Sequence, residues 1–171
     1  LEVIAEDATG ADLHHLLRPY STPSFHALPA ACTAGFAISE SGALYQRGGW
    51  SWAEAGGTWT DGPEAHLLFT PVTLEASRLR LEMYCRAFTT KYHQTQRVEI
   101  LLNGVRYECW TFTNIKPTRV CSVSLGRDLS FVPFIHVTLN LPDAISPAAL
   151  GISGDPRALG VFVEWMRLVP E

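Results

Sequence analysis

Two stretches of this chain carry side chains able to do chemistry. In "GGWSWAEAGGTWTDGPEA", Gly48 to Ala65, three tryptophans, Trp50, Trp52 and Trp59, fall within ten residues beside Glu54 and Asp61. In "SPAALGISGDPRALGV", Ser146 to Val161, Ser146-Pro147 opens a turn, Gly151, Gly154 and Asp155-Pro156 bend the chain, and Arg157 follows. Sugars are bound by this inventory, because an aromatic ring covers the apolar C–H side of a pyranose while carboxylates and a guanidinium fork across adjacent hydroxyls. Trp50, Glu54, Trp59, Asp155 and Arg157 are therefore the ligand-binding candidates, and Trp52 is assigned to packing.

The same residues allow other readings. Trp59 in "TWTDG" fits the inward position of a strand ending before Gly62, and Asp155 with Arg157 fits an ion pair that holds a turn shut. That would make a rigid clamp in a structural or interaction domain. A glycan hydrolase needs two flanking carboxylates, and Glu54, Asp61, Glu64, Asp128, Asp143 and Asp155 all sit in loop-like sequence. Those loop acids could also supply oxygens to a structural calcium, although no D-x-D-x-D-G loop is written here. No other cofactor or metal is expected.

Other chemistries find no signature. G-x-S-x-G, H-E-x-x-H, a glycine loop with lysine and G-x-G-x-x-G are all missing from the sequence. Net charge is −4 with 18% charged residues and no basic stripe, which argues against nucleic acid as a partner. No apolar run approaches the roughly 20 residues that span a bilayer. Cys32, Cys85, Cys109 and Cys121 are too widely spaced for a zinc finger, and buried free thiols are the expectation. His14 and His15 are adjacent, about 100° apart on a helix, and read as solvated. Tyr92 and His93 read as exposed residues of a polar link. The start at Leu1 reads as an excised or processed segment.

The elements that must position the candidates are mostly strands. Leu79, Leu81, Met83, Cys85 and Ala87 alternate with polar or charged neighbours, the pattern of a strand with one wet face. Val98, Ile100 and Leu102 alternate up to Asn103-Gly104, which suits a two-residue type I′ turn, and Val105, Tyr107 and Cys109 alternate on the return. Further strands are expected at 65–70, 118–125, 134–141 and 159–169, with weaker ones near 1–6 and 34–38. The last of the strong ones is apolar on both faces and belongs at a sheet centre. Thr9 and Asp12 cap one short helix carrying Leu13, Leu16 and Leu17, stopped by Pro19. The fold class is all-β, an antiparallel β-sandwich or jelly roll with a short N-terminal helix.

The order of "GW…E…GxWTxGPxAxLxF", "QRVEILLNG" and "AISPxxLGISGDPRxLGV" resembles the β-sandwich accessory domains of bacterial proteins that make or modify surface polysaccharides, often attached to glycosyltransferases. Those domains are similar in outline to galactose-binding-like carbohydrate-binding modules. The resemblance spans Gly48 to Val169 and falls on Trp50, Glu54, Trp59, Asp155 and Arg157, with Gln96 and Asn103 also marked. It implies a noncatalytic module that binds carbohydrate, cytoplasmic or envelope-associated, with a catalytic domain of the same protein as partner. Residues 1–47 are outside the resemblance and read as an extension with a short helix and edge strands, ahead of a 48–171 core.

Overall fold

The computed structural model describes residues 25–72, 78–129 and 132–171. The expected N-terminal helix and the weak strand at 1–6 lie outside the described residues. Eleven strands are described: β1 (Ala27–Pro29), β2 (Thr33–Gly35), β3 (Trp50–Glu54), β4 (Gly57–Asp61), β5 (Glu64–Val72), β6 (Leu79–Ala87), β7 (Thr95–Leu102), β8 (Val105–Thr113), β9 (Thr118–Leu125), β10 (Ile135–Asn140) and β11 (Leu159–Pro170). They form two facing sheets, one in the order β1-β5-β10-β7-β8 and the other β3-β4-β11-β6-β9. The all-β sandwich expected from the alternation is what the chain adopts, antiparallel except for the β1–β5 pair.

Alternation decides which residues enter the core. On β6, Leu79, Leu81, Met83, Cys85 and Ala87 point inward, and Arg80, Glu82, Tyr84 and Arg86 line the outer face. Facing them from the other sheet are Leu67 and Phe69 on β5, Val98 and Ile100 on β7, Phe112 on β8 and Val137 and Leu139 on β10, all buried. The β7–β8 hairpin turns at Asn103 (φ 47°) and Gly104 (φ 82°), the two positive values that a type I′ turn needs. The apolar β11 is central: β4 pairs with Leu159–Val163, β2 with Trp165–Arg167, and β6 runs along its other side.

Part of the segment read as an extension is built into the sandwich. Leu28, Ala34, Phe36 and Tyr45 are buried in the same core, β1 pairs with β5 and β2 with β11. The cysteines carry free thiols, Cys85 and Cys121 buried and Cys32 and Cys109 exposed. No helix of the described residues is long and apolar enough to cross a membrane.

On the outer face of the second sheet, Glu82 lies between Arg80 (3.0 Å) and Arg167 (2.8 Å). The hydrogen bonds from Arg167, against the opposing effect of burial, and those from Arg80 hold its carboxyl below the ordinary 4.5. The resulting stabilisation is complete above that value and is lost as pH falls through the lower value of the folded protein. Glu82→Gln should therefore cost about 1–2 kcal/mol at pH 6 and less at pH 3, below the ordinary carboxylate value. Urea unfolding at the two pH values checks this, and an equal loss at both would show that the charge is not what stabilises. Asp143 and Asp155 are also held low by arginines, so the difference between the proteins isolates Glu82.

Candidate functional site

β3 is an edge strand, and one irregularity in it decides where its tryptophans point. Trp50 pairs with Thr60 but Ala53 pairs with Thr58, so one extra residue is accommodated between them as a bulge. Thr58 and Thr60 are buried on the inner face of β4, so Trp50 and Ala53 turn inward and Trp52 and Glu54 turn outward. Trp50 is accordingly half-buried: its indole N–H donates to the His66 carbonyl (2.8 Å), and its ring packs on Phe36 at 5.5 Å. Trp52 is 68% exposed, which corrects its assignment to packing. Trp59 lies on the outer face of β4, half-buried against Phe162 and Phe88, with the Arg86 guanidinium 5.7 Å above its ring.

The 141–158 loop brings the second candidate group to this edge. Ile145 and Leu159 exchange backbone hydrogen bonds that close its base, and the Asp61 carboxylate accepts from the Ala158 N–H at 2.9 Å. Within the loop Asp155 accepts from the backbone N–H of Arg157 (3.0 Å) and from its Nε and Nη2, the latter at 2.7 Å. Arg157 Nη1 then crosses to β3, donating to Ser51 Oγ (2.7 Å) and Glu54 Oε1 (3.2 Å), and the guanidinium sits 4.4 Å from the centre of the Trp52 ring. Glu54, Asp155 and Arg157 are thus brought together, with Trp52 and Ser51 completing the group.

The electrostatics of the group are those of a fixed polar platform. The Arg157 side chain is 14% exposed, those of Asp155 and Glu54 25% and 37%. The Arg157 hydrogen bonds hold the Asp155 carboxyl below its ordinary range, and Asp155 in turn raises Arg157. Asp155 accepts four hydrogen bonds from Arg157 and Glu54 only one, so Glu54 is the carboxylate with acceptor capacity to spare beside the exposed Trp52 ring. Beyond Glu54, the β3–β4 turn borders a cleft of about 390 Å³ whose walls include Glu40, Glu164 and Trp165.

The remaining sequence candidates have structural partners. Gln96 is buried, its amide donating to the Arg97 carbonyl and lying 3.4 Å from His93 Nε2. Asn103 accepts from the His136 N–H at 2.8 Å, tying the hairpin turn to β10. Tyr92 is exposed, as expected, beneath Lys91. Among the described residues no group of three or more His, Cys, Asp or Glu side chains is placed to hold a metal ion. Glu54 and Asp155 are bridged by Arg157, Asp143 is bidentate with Arg97 and Asp61 caps Ala158, so each of these four loop acids already has a protein partner. Sequence reasoning missed Trp52 and Ser51. Outward alternation of Trp52 with Glu54 was the available signal, hidden by the glycines that made the stretch read as a loop.

No protein-family model matches the chain, and no curated protein sequence matches it. Among solved structures it is similar to part of a family GH115 4-O-methyl-α-glucuronidase with specificity for decorated arabinogalactans, at TM-score 0.52 and 9% identity over 83% of this chain. The match takes up 18% of that enzyme's length, and the likeness is one of fold. Two further similar structures are the CBM36-1 domain of a multidomain xylanase from the hindgut metagenome of Trinervitermes trinervoides and a carbohydrate-binding module, CBM36, in complex with calcium and xylotriose. The first has TM-score 0.48 and 9% identity over 82% of this chain and 97% of that one. The second has TM-score 0.43 and 13% identity over 72% and 91%.

Proposed function

We propose that this chain is a noncatalytic carbohydrate-binding β-sandwich whose site is the outer edge of β3. The observation that carries the reading is Trp52, a large apolar ring left 68% exposed while Arg157, Glu54 and Asp155 are ordered around it. A sugar stacks its C–H face on the exposed Trp52 ring and shares a hydroxyl with the Glu54 carboxylate, which accepts only one hydrogen bond, while Asp155 holds Arg157 in place beside it. Trp59, one strand inward on the same face, flanks the platform, and the cleft beside the β3–β4 turn has room for a neighbouring residue of the glycan. Trp50 supports the site from inside.

The hydrolase reading loses support on the same geometry. A general acid must hold its proton near neutral pH, and Arg157 keeps Asp155 ionised well below that. The clamp reading has a specific observation in its favour, since Arg157 spends most of its donors inside the cluster. As a clamp the group would stabilise the loop for packing against a catalytic partner. The wider context is part of the proposal and rests on motif resemblance: a module of a bacterial polysaccharide-biosynthesis protein, joined to a glycosyltransferase domain, in the cytoplasm or at the cell envelope.

Calorimetric titration with bacterial surface polysaccharides, and with decorated arabinogalactan, tests the reading. Trp52→Ala should weaken binding of the responding glycan by about tenfold, the loss typical of a stacked anchor, and lower the unfolding midpoint by only about 1–4 °C for the lost Arg157 contact. Binding that survives the substitution places the site elsewhere. Heat with none of the glycans, together with a stabilising Arg157 cluster, favours the clamp.

A further inference from the structure

We propose that His66 and His136, with the Thr138 hydroxyl, form a binding site for a divalent transition-metal ion on the outer face of the five-stranded sheet. His66 on β5 pairs with Thr138 on β10, and His136 pairs with Leu68, so the two histidines are diagonal neighbours on one face. His66 Nδ1 and His136 Nε2 face each other at 3.3 Å, and Thr138 Oγ1 is 3.2 Å from the same His66 nitrogen. A tetrahedral zinc with nitrogen ligands at about 2.0–2.1 Å holds its donors about 3.3–3.4 Å apart, which is the separation found here. The two imidazoles would take two positions of such a sphere, the Thr138 hydroxyl beside His66 is at hand for a third, and water or a ligand oxygen completes it.

The surroundings hold these donors in place. The backbone of His66 bonds to Arg47 and Gly48 and accepts from the Trp50 indole, and that of His136 is bonded twice to Asn103. Rigid strands therefore present both rings, and little ordering is left for the metal to impose. Glu64 Oε2 lies 3.7 Å from His66 Nε2, the nitrogen pointing away from the pair. That is beyond hydrogen-bond distance, and a small turn of the half-exposed Glu64 side chain would bring its carboxylate to where it orients a metal-bound histidine. Imidazole donors with an oxygen select zinc, copper(II) or nickel(II) over calcium or magnesium. This pair lies on the other sheet from β3, and its assignment does not depend on the glycan reading.

Zinc chloride is the probe, titrated calorimetrically into the full chain carrying Cys32→Ser, Cys109→Ser, His14→Gln and His15→Gln to silence competing donors. One equivalent should bind and raise the melting temperature. His66→Ala and His136→Ala should each lower the affinity at least tenfold and abolish the thermal shift, while calcium gives neither effect. Should either variant fail to fold, imidazole proton resonances of the parent protein report instead, with only the His66 and His136 signals broadening or shifting at one equivalent. No binding below millimolar zinc, equal affinity after both substitutions, or shifts at other histidines would overturn the assignment.

Discussion

Arg157→Ala is expected to lower both stability and glycan affinity, the second by roughly a hundredfold, because one guanidinium serves four groups at once. It donates to both Asp155 oxygens, to Ser51 and to Glu54, and it covers one face of Trp52. Removing it leaves two neighbouring carboxylates with no cation between them and an exposed indole with no fixed orientation. Breaking a fully buried ion pair costs about 3–5 kcal/mol and a surface pair about 0–1. Side chains that are 14–37% exposed fall between, so the loss should be about 1–2 kcal/mol, or roughly 2–8 °C in melting temperature. Arg157→Lys should recover little, since an ammonium cannot reproduce the fork that holds Asp155 and β3 together. Thermal unfolding and calorimetry on the same three proteins check both halves. A stability loss without loss of glycan binding would mean that the cluster is a clamp and the sugar sits elsewhere.

Gly49→Ala is expected to be the most damaging single substitution near the site, at on the order of 3 kcal/mol, roughly 6–12 °C in melting temperature. Gly49 has φ +83°, and a Cβ built there would overlap the backbone carbonyl oxygen of Glu64. The left-handed backbone alone costs an L-residue about 1–2 kcal/mol. The collision adds more, because backbone on β5 cannot move aside as a side chain could. Shifting Gly49 also disturbs the Asp61 N–H to Gly49 and His66 N–H to Gly48 bonds, which fasten the entry to β3. Gly104→Ala is the control: φ is +82° and nothing lies within 4 Å of its Cβ, so only the backbone penalty applies. Equal losses at the two glycines in urea unfolding would show that the Glu64 contact is unimportant.

The sequence by itself determined the sandwich and most of its strands. The β7–β8 hairpin is legible because Asn103-Gly104 tolerates positive φ at both positions, and β6 because its inward residues recur every second position. Both signals are local, written within about ten residues. Glu54, Asp155 and Arg157 were also legible as residue types, since few other combinations suit a hydroxyl-rich ligand. Their meeting was not, because Arg157 reaches Glu54 across 103 positions and only the Ile145–Leu159 closure and the Asp61 cap bring it there. The tertiary structure likewise chose among the tryptophans. Period-two alternation places Trp50, Trp52 and Glu54 on one face, and the bulge between Trp50 and Ala53 breaks that set, turning the first inward to a half-buried position and exposing the second. A bulge is a mismatch between two paired strands, and it exists only once β4 is in place, so the residues of β3 carry the Trp52–Glu54 alternation but not the choice of Trp52 over Trp50 as the outward ring.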